Sequence, residues 1–257
     1  MPENMNTDIY KQLHQRILFI EYEPGQILRE QILAKEFGVS RTPLRTVLFR
    51  LEWEHLIKIL PRTGVQVSEL ELNRIMNVYQ ARLELEEVIG RLAAERFAPH
   101  HFERLGELLK DCDRLYDHKD PKALAAIDFS SKALFHDAAG NPYLKEMSDR
   151  LYALTFRLWY FNMIKMNAET WKIETSSLKE ELSEMSTVLA QNNPTGVGIA
   201  RKKYLLKHLD RIRSQFLGLS GNSYTYQQNW VIPEVASGIY PNPIMIKPSN
   251  PHFFKLI

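Results

Sequence analysis

The sequence has little cysteine, no marked excess of charge of either sign and no long apolar run. Its one cysteine, Cys112, cannot form an internal disulfide or a thiolate zinc cluster. Lys and Arg number 33 against 31 Asp and Glu in 257 residues, so a polycation that coats nucleic acid without discrimination is not expected. No apolar stretch approaches ~18 residues, and the first residues lack the basic-then-apolar order of a signal peptide. These absences predict a cytoplasmic protein.

The chain is expected to divide into three parts. Hydrophobic residues make up 44% and charged residues 25%, which are ordinary values for a chain that buries a core. Turn signals crowd residues 1–70, long helical periods run through residues 71–220, and five of the 13 prolines fall in the last 25 residues. This pattern predicts a small N-terminal domain, an all-helical domain about twice its size and an irregular tail over residues 221–257.

Residues 30–53 carry two short helical patterns separated by a turn. Gly38 suits the left-handed end of the first helix, and Ser40 suits the N-cap of the second. The second helix has an apolar stripe of Leu44, Val47, Leu48 and Leu51. Its opposite face carries Arg41, Thr42, Arg45, Thr46 and Arg50. Two helices joined by a short turn, with a basic outer face on the second, are typical of a DNA-reading helix-turn-helix.

A basic hairpin follows the second helix. Residues 56–60 and 65–67 have the pattern of two short strands around a turn, with Arg62 at the tip. This arrangement predicts the wing of a winged helix. From Arg41 to Arg62 there are five basic and two acidic residues, so the small positive net charge is concentrated where DNA would lie.

The run from Pro24 to Arg45, continued by 48–56 and 62–64, resembles the winged-helix domain of GntR-type bacterial transcription regulators. The resemblance covers about residues 8–68 and implies binding to double-stranded DNA. With the wing tip included, the expected DNA contacts are Ser40, Arg41, Thr42, Arg45, Arg62, Thr63 and Gly64. One departure from the family pattern is His55, which stands where a glycine is expected. Such departures leave the fold intact but make the operator sequence unpredictable.

Two segments of the longer domain resemble the FCD effector domain of FadR-type GntR regulators. They are residues 78–86 and residues 134–144, and His208 matches a third landmark. The resemblance covers about residues 72–218. It implies an antiparallel helical bundle that dimerises and binds a small carboxylate or other metabolite. Many members of that family also hold a divalent metal with one Asp and three His.

Two of those four metal ligands are missing. His136 and His208 match the first and last histidines, but Lys132 stands at the position of the Asp and Leu182 at that of the middle His. An ammonium group and a leucine offer no lone pair to a metal. Glu181 is one position away and is expected to point elsewhere. We therefore predict no metal and no other cofactor.

Lys132 is instead expected to supply the positive charge that a metal would provide. The predicted effector-binding residues are Arg82, Lys132, His136, Asn141 and His208, which would hold a small anionic metabolite. Asp128, eight residues before His136 and about 12 Å along the helix, is not expected to replace a ligand. A solvated lysine beside a buried histidine remains an alternative, and nearby aromatic residues could line the pocket or belong to the core.

The sequence therefore predicts a mainly α, ligand-responsive transcription regulator that binds a palindromic operator as a homodimer and is not an enzyme. One alternative is a small helical metal-dependent hydrolase or lyase with an accessory winged helix. Another is an adaptor whose winged helix contacts protein. The tail is aromatic enough to pack on its own helical domain or on a partner subunit, and the sequence does not choose between them.

Overall fold

The computed structural model describes residues 2–217, which form nine helices and a three-stranded sheet. The N-terminal part consists of α1 (Pro2–Leu18), β1 (Ile27–Leu28), α2 (Glu30–Glu36), α3 (Arg41–Trp53), β2 (Ile57–Leu60) and β3 (Gly64–Val67). The strands are antiparallel in the order β1-β3-β2. The predicted helix-turn-helix and wing are therefore confirmed. The two-residue strand β1 was not predicted, because it is too short to show an alternating pattern.

The remaining helices form the predicted antiparallel bundle. They are α4 (Leu72–Ala94), α5 (Pro99–Leu115), α6 (Pro121–Ala139), α7 (Pro142–Met163), α8 (Ala168–Ala190) and α9 (Pro194–Leu217). Four of these helices begin with proline, which suits a first turn whose amides have no partner inside the helix. The break before α8 has no Pro or Gly. It is marked only by Asn167, whose side chain accepts the amide hydrogen of Thr170 at 2.9 Å.

Helices α4 and α9 approach each other closely through two glycines. A Cβ on Gly198 would lie 2.6 Å from the backbone oxygen of Glu87, and a Cβ on Gly90 would lie 3.1 Å from the Cα of Gly198. A larger residue at either place would push the two backbones apart. Small residues are therefore required where the first and last helices of the bundle meet.

The winged-helix domain rests on the helical domain through α7. The guanidinium of Arg150 stacks 3.3 Å from the ring centre of Trp53, the last residue of α3, and donates to its carbonyl at 3.1 Å. Arg157, which is buried, donates to the carbonyl of Ser68 at 2.7 Å. Phe19, just after α1, packs edge-on against Tyr160. These contacts attach both ends of the DNA-binding domain to one helix.

In the part of the chain described, no helix has the length and apolar character needed to cross a membrane. The proline-rich tail predicted for residues 221–257 lies outside the described residues.

Replacing Gly198 by alanine should lower the free energy of unfolding by about 1–3 kcal/mol, because backbone lies in the way of the added methyl group. Gly106, inside α5, is the matched control. A Cβ there meets nothing within 4 Å, so Gly106→Ala should raise stability by roughly 0.5–1 kcal/mol. Urea unfolding of both variants measures the difference, and equal effects would contradict the close approach of the two helices.

His55 occupies a left-handed backbone conformation, with φ of 64°, at the place where the family has glycine. A residue with a Cβ loses about 1–2 kcal/mol of folding free energy in this conformation, and glycine avoids that loss. Glycine also has more conformational entropy in the unfolded chain, which offsets part of the gain. His55→Gly should therefore raise the unfolding free energy by up to about 1 kcal/mol. His55→Ala keeps the strain and should bring no gain, so thermal melts in which alanine stabilises as much as glycine would refute this explanation.

Candidate DNA-binding and effector sites

Helix α3 presents the predicted basic face to solvent. Its apolar stripe is buried, whereas Arg41, Thr42 and Arg45 are exposed. Ser40 is the N-cap, with φ of −72° and ψ of 167°, but its side chain makes no capping hydrogen bond. The Ser40 hydroxyl is thus not used by the helix and lies beside the exposed arginines.

Arg45 is held by an acidic residue of the neighbouring helix. Its Nε donates to Glu30 Oε2 at 2.9 Å, and the side chain stays 58% exposed while that of Glu30 is 17% exposed. DNA would have to compete with this carboxylate. On the wing, Arg62 and Thr63 are exposed at the turn. Gly64 has a structural reason to be glycine, since a Cβ there would lie 2.4 Å from the carbonyl oxygen of Leu28.

The helical domain encloses a cavity of about 70 Å³ between α4, α6, α7, α8 and α9. Its wall contains four basic residues, Arg82, Lys132, Arg201 and Arg211. It also contains four acidic residues, Glu86, Asp128, Glu174 and Glu181. The wall also contains one imidazole and two aromatic rings, from His208, Trp159 and Phe156. The site is therefore not the cluster of cations that the sequence predicted, because acids are present in equal number.

On the α4 side, Glu86 is the centre of a buried ion pair. Its Oε2 accepts from Arg201, with Nε at 3.2 Å, and its Oε1 lies 3.8 Å from an Nη of Arg82. Burial disfavours the charged carboxylate, but the two guanidinium groups outweigh that effect and hold the Glu86 pKa down at about 2. Arg82 also donates to Thr155 Oγ1 at 2.6 Å, and its Nε is buried without a partner.

At the α8–α9 side, Glu174 collects three donors. Its carboxylate accepts from Arg211 Nε at 2.9 Å and from Trp159 Nε1 at 2.9 Å, and it lies 3.5 Å from His208 Nδ1. Burial opposes its ionisation, yet Arg211 and His208 bring the Glu174 pKa well below its usual range. The predicted effector ligand His208 is therefore engaged with an acid of the cavity wall.

Lys132 points away from bulk water and forms an ion pair. Its ammonium donates to Asp149 of α7, which also pairs with Lys145, and its side chain is only 8% exposed. Burial lowers the pKa of Lys132, and the hydrogen bond to Asp149 opposes that shift. The open alternative of a solvated lysine is thus wrong, and the partner is an acidic neighbour.

His136 does not reach the cavity that contains His208. It is buried beside a second, larger cavity of about 750 Å³ between the two domains, and its Nδ1 lies 3.8 Å from Asp149. Burial and the nearby charge of Lys132 lower the His136 pKa to about 4, so the imidazole is neutral near pH 7. Lys132 lines both cavities and forms the wall between them.

Glu181, rather than Leu182, faces the cavity that contains His208. Leu182 is fully buried in the core, whereas Glu181 lines the cavity and, within residues 2–217, makes no hydrogen bond or ion pair. Burial raises its pKa to about 7. The expectation that Glu181 points elsewhere was wrong. Asp128, also set aside, lies in the same wall and accepts from the hydroxyl of Tyr152.

The residues present do not fit the metal site of the FCD family. Lys132 carries an ammonium that is already paired, His136 faces the other cavity, and the third position offers the single carboxylate of Glu181. His100, His101 and Asp137 have suitable spacing, with His101 buried and the other two exposed. However, His101 Nδ1 accepts the amide hydrogen of Ala98 at 2.9 Å, so Nε2 carries the proton and has no lone pair for a metal.

Asn141 is placed outside the two cavities just described. Its side-chain oxygen accepts from the amides of Tyr143 and Leu144, both at 3.1 Å, so it is the N-cap of α7. The aromatic residues divide between the two expected roles, since Phe156 and Trp159 line the cavity that contains His208 and Tyr160 stacks in the core.

Sequence reasoning missed most of the acids and two of the arginines in the cavity wall. The sequence does contain a pattern that indicates them. On two helices, charged residues stand three or four positions from apolar residues, on the face that helical periodicity assigns to the core. On α8 the pattern is Glu174, Leu178 and Glu181. On α9 it is Arg201, Leu205 and His208. Charges at positions that helical periodicity assigns to the core indicate a polar cavity.

The comparisons with known proteins agree with this architecture. Residues 6–67 match the family described as bacterial regulatory proteins, gntR family, and residues 77–175 match the FCD domain. The chain is 34% identical to the Nta operon transcriptional regulator of Aminobacter aminovorans over 204 residues, which are 79% of this chain and 92% of that protein. It is 25% identical to the uncharacterized HTH-type transcriptional regulator YdhC of Bacillus subtilis, over 58% of this chain and 67% of that protein.

Two further regulators are matched over only 36% and 59% of their own lengths. The solved structure of E. coli McbR/YncC has the same fold, with a TM-score of 0.71 at 20% identity over 82% of this chain and 98% of that one. The relatives are regulators and not enzymes, which disfavours the hydrolase alternative. With its winged helix followed by an FCD domain, this chain belongs to the GntR family of bacterial transcription regulators.

Proposed function

We propose that the protein is a ligand-responsive regulator that binds a palindromic operator as a homodimer and is modulated by a small carboxylate held in the FCD cavity. The observation that carries this proposal is the continuous path from cavity to recognition helix. Lys132, in the cavity wall, pairs with Asp149, and the next residue of α7, Arg150, stacks on Trp53 at the end of α3. A ligand that moves Lys132 therefore acts on the helix that carries the DNA-reading residues.

The DNA-binding part of the proposal rests on the exposed arginines of α3 and the wing. Arg41 and Arg45 lie on the outer face of a helix whose other face is buried, and Arg62 lies at the tip of the hairpin. A helix of this kind fits the major groove, with its first residues nearest the base edges. The ion pair with Glu30 leaves the Arg45 side chain 58% exposed.

The effector part rests on Arg82. The residue is only 8% exposed, yet among the described residues its guanidinium finds one close hydrogen-bond acceptor, Thr155 Oγ1. A planar guanidinium with free donors matches a carboxylate, which accepts two parallel hydrogen bonds. A carboxylate in the cavity would also attract Lys132 away from Asp149, and this competition supports a coupling between ligand and DNA.

Arg45→Ala should weaken specific binding to the operator by about 1–3 kcal/mol if the side chain contacts a base. Arg62→Ala should weaken binding to all sequences alike and reduce the salt slope by about 1, as expected for one phosphate contact. Gel-shift titrations on the DNA upstream of the protein's own gene measure both. Lys110→Ala removes an exposed cation from α5 and serves as the control. Unchanged binding in the Arg45/Arg62 double variant would refute the DNA-reading assignment.

The homodimer predicts a footprint with two half-sites about 34–36 Å apart, one turn of DNA from centre to centre. Sedimentation of the full chain should give a mass twice the 30.1 kDa of one chain. A single half-site footprint together with a monomeric mass would contradict the dimer and leave the DNA contacts of one winged helix untouched.

A further inference from the structure

We propose that the ligand of the FCD cavity carries an ammonium group as well as a carboxylate, so that it is a small amino acid or a close analogue. This inference rests on the effector role proposed above and narrows it. It follows from the charges of the cavity wall, from the two groups in that wall that lack full partners, and from the size of the cavity.

The wall of the cavity contains basic and acidic side chains in equal number. There are four of each. Half of these charges pair within the wall, Arg201 with Glu86 and Arg211 with Glu174, and Lys132 pairs with Asp149 of α7. A ligand with a net negative charge would leave most of the solvent for a site without a marked excess of positive charge, which is unfavourable.

Two groups of opposite sign are left over. Glu181 on α8 has no hydrogen bond or ion pair within residues 2–217, and Arg82 on α4 has an unpartnered Nε and only a 3.8 Å approach to Glu86. Both face the same cavity. A carboxylate alone would suit Arg82 but would lie near an acid, and an amine alone would suit Glu181 but would lie near a guanidinium.

A zwitterion satisfies both groups at once. Its carboxylate would accept from Arg82, and its ammonium would donate to Glu181, which would then be held in its ionised form. Asp128, whose carboxylate already accepts from Tyr152, provides a second acceptor in the same wall. The charge of the bound complex stays balanced, which neither a simple anion nor a simple amine achieves.

The volume limits the ligand further. At about 70 Å³ the cavity is far smaller than the roughly 300–1,000 Å³ of pockets for drug-sized ligands. A molecule with only a few non-hydrogen atoms fits the space as it stands. The smallest amino acids meet this limit, and longer side chains would require the helices to separate.

The test is calorimetric titration of the full chain with matched pairs of ligands. Each pair consists of an amino acid and the same acid without its amino group, beginning with glycine against acetate and alanine against propionate and extending through the standard amino acids. Within the pair that binds, the amino acid should bind at least about tenfold more tightly, because it adds a charge-assisted hydrogen bond to a half-buried acid.

Glu181→Gln should reduce this preference to about threefold or less, since the amide cannot neutralise an ammonium. Glu180→Gln is the matched control, because Glu180 is the neighbouring residue of the same helix and is exposed to solvent. It should keep the full preference. Circular dichroism of both variants checks folding, and the wild-type pairs decide the question even if Glu181→Gln does not fold.

The outcomes separate the two proposals. If acetate or propionate binds as tightly as its amino partner, the zwitterion is refuted and the carboxylate effector stands. If lactate binds as tightly as alanine, a hydroxyl group serves as well as an amino group, and the proposed ammonium group of the ligand is refuted. If no amino acid binds but another carboxylate does, the inference fails alone. If no carboxylate of any kind binds, the inference and the proposed effector class fail together, while the DNA contacts of α3 remain a separate matter.

Discussion

The buried ion pair between Glu86 and Arg201 is the interaction on which the helical domain depends. It joins α4 to α9, the first and last helices of the bundle, and both side chains are at most 9% exposed. Removal of one partner from such a pair typically costs about 3–5 kcal/mol, because the other charge is left buried alone. The pair also needs the two backbones in contact, which Gly90 and Gly198 allow. Arg82, one turn before Glu86 on α4, lies 3.8 Å from the same carboxylate.

Local signals in the sequence were sufficient for the helices and the wing. Apolar periodicity and the prolines at helix starts depend on neighbouring residues only, so they can be recognised without the fold. The pairing of buried charges could not be predicted, since Glu86 and Arg201 are 115 residues apart and each has several possible partners. Glu181 was missed for a related reason. Neighbouring positions on a helix point about 100° apart. A one-residue shift in alignment therefore assigns to the cavity a side chain that lies in the core.

The cavity that contains His208 has several charged side chains in its wall, and these do not fit a metal site. A metal ion would concentrate positive charge at one point and leave it accessible to a ligand. Here the positive charge is spread over four side chains, two of which pair with acids of the same wall. If the proposed ligand binds here, it would meet a donor on α4 and an acceptor on α8 rather than one concentrated charge. Recognition in such a site depends on the orientation of the ligand's own dipole.

Arg150 stacks on Trp53 at one end of the recognition helix α3, so a small tilt at that end displaces the other end of the helix by a larger distance. Trp53 is the last of the 13 residues of α3, and Arg41 is the first. At 1.5 Å per residue the helix is about 20 Å long, so a tilt of about 5° at the tryptophan end displaces the arginine end by about 2 Å. Hydrogen bonds to base edges tolerate only a few tenths of an ångström. A movement of α7 too small to disturb the packing of the bundle would thus be large enough to change which DNA the protein can read.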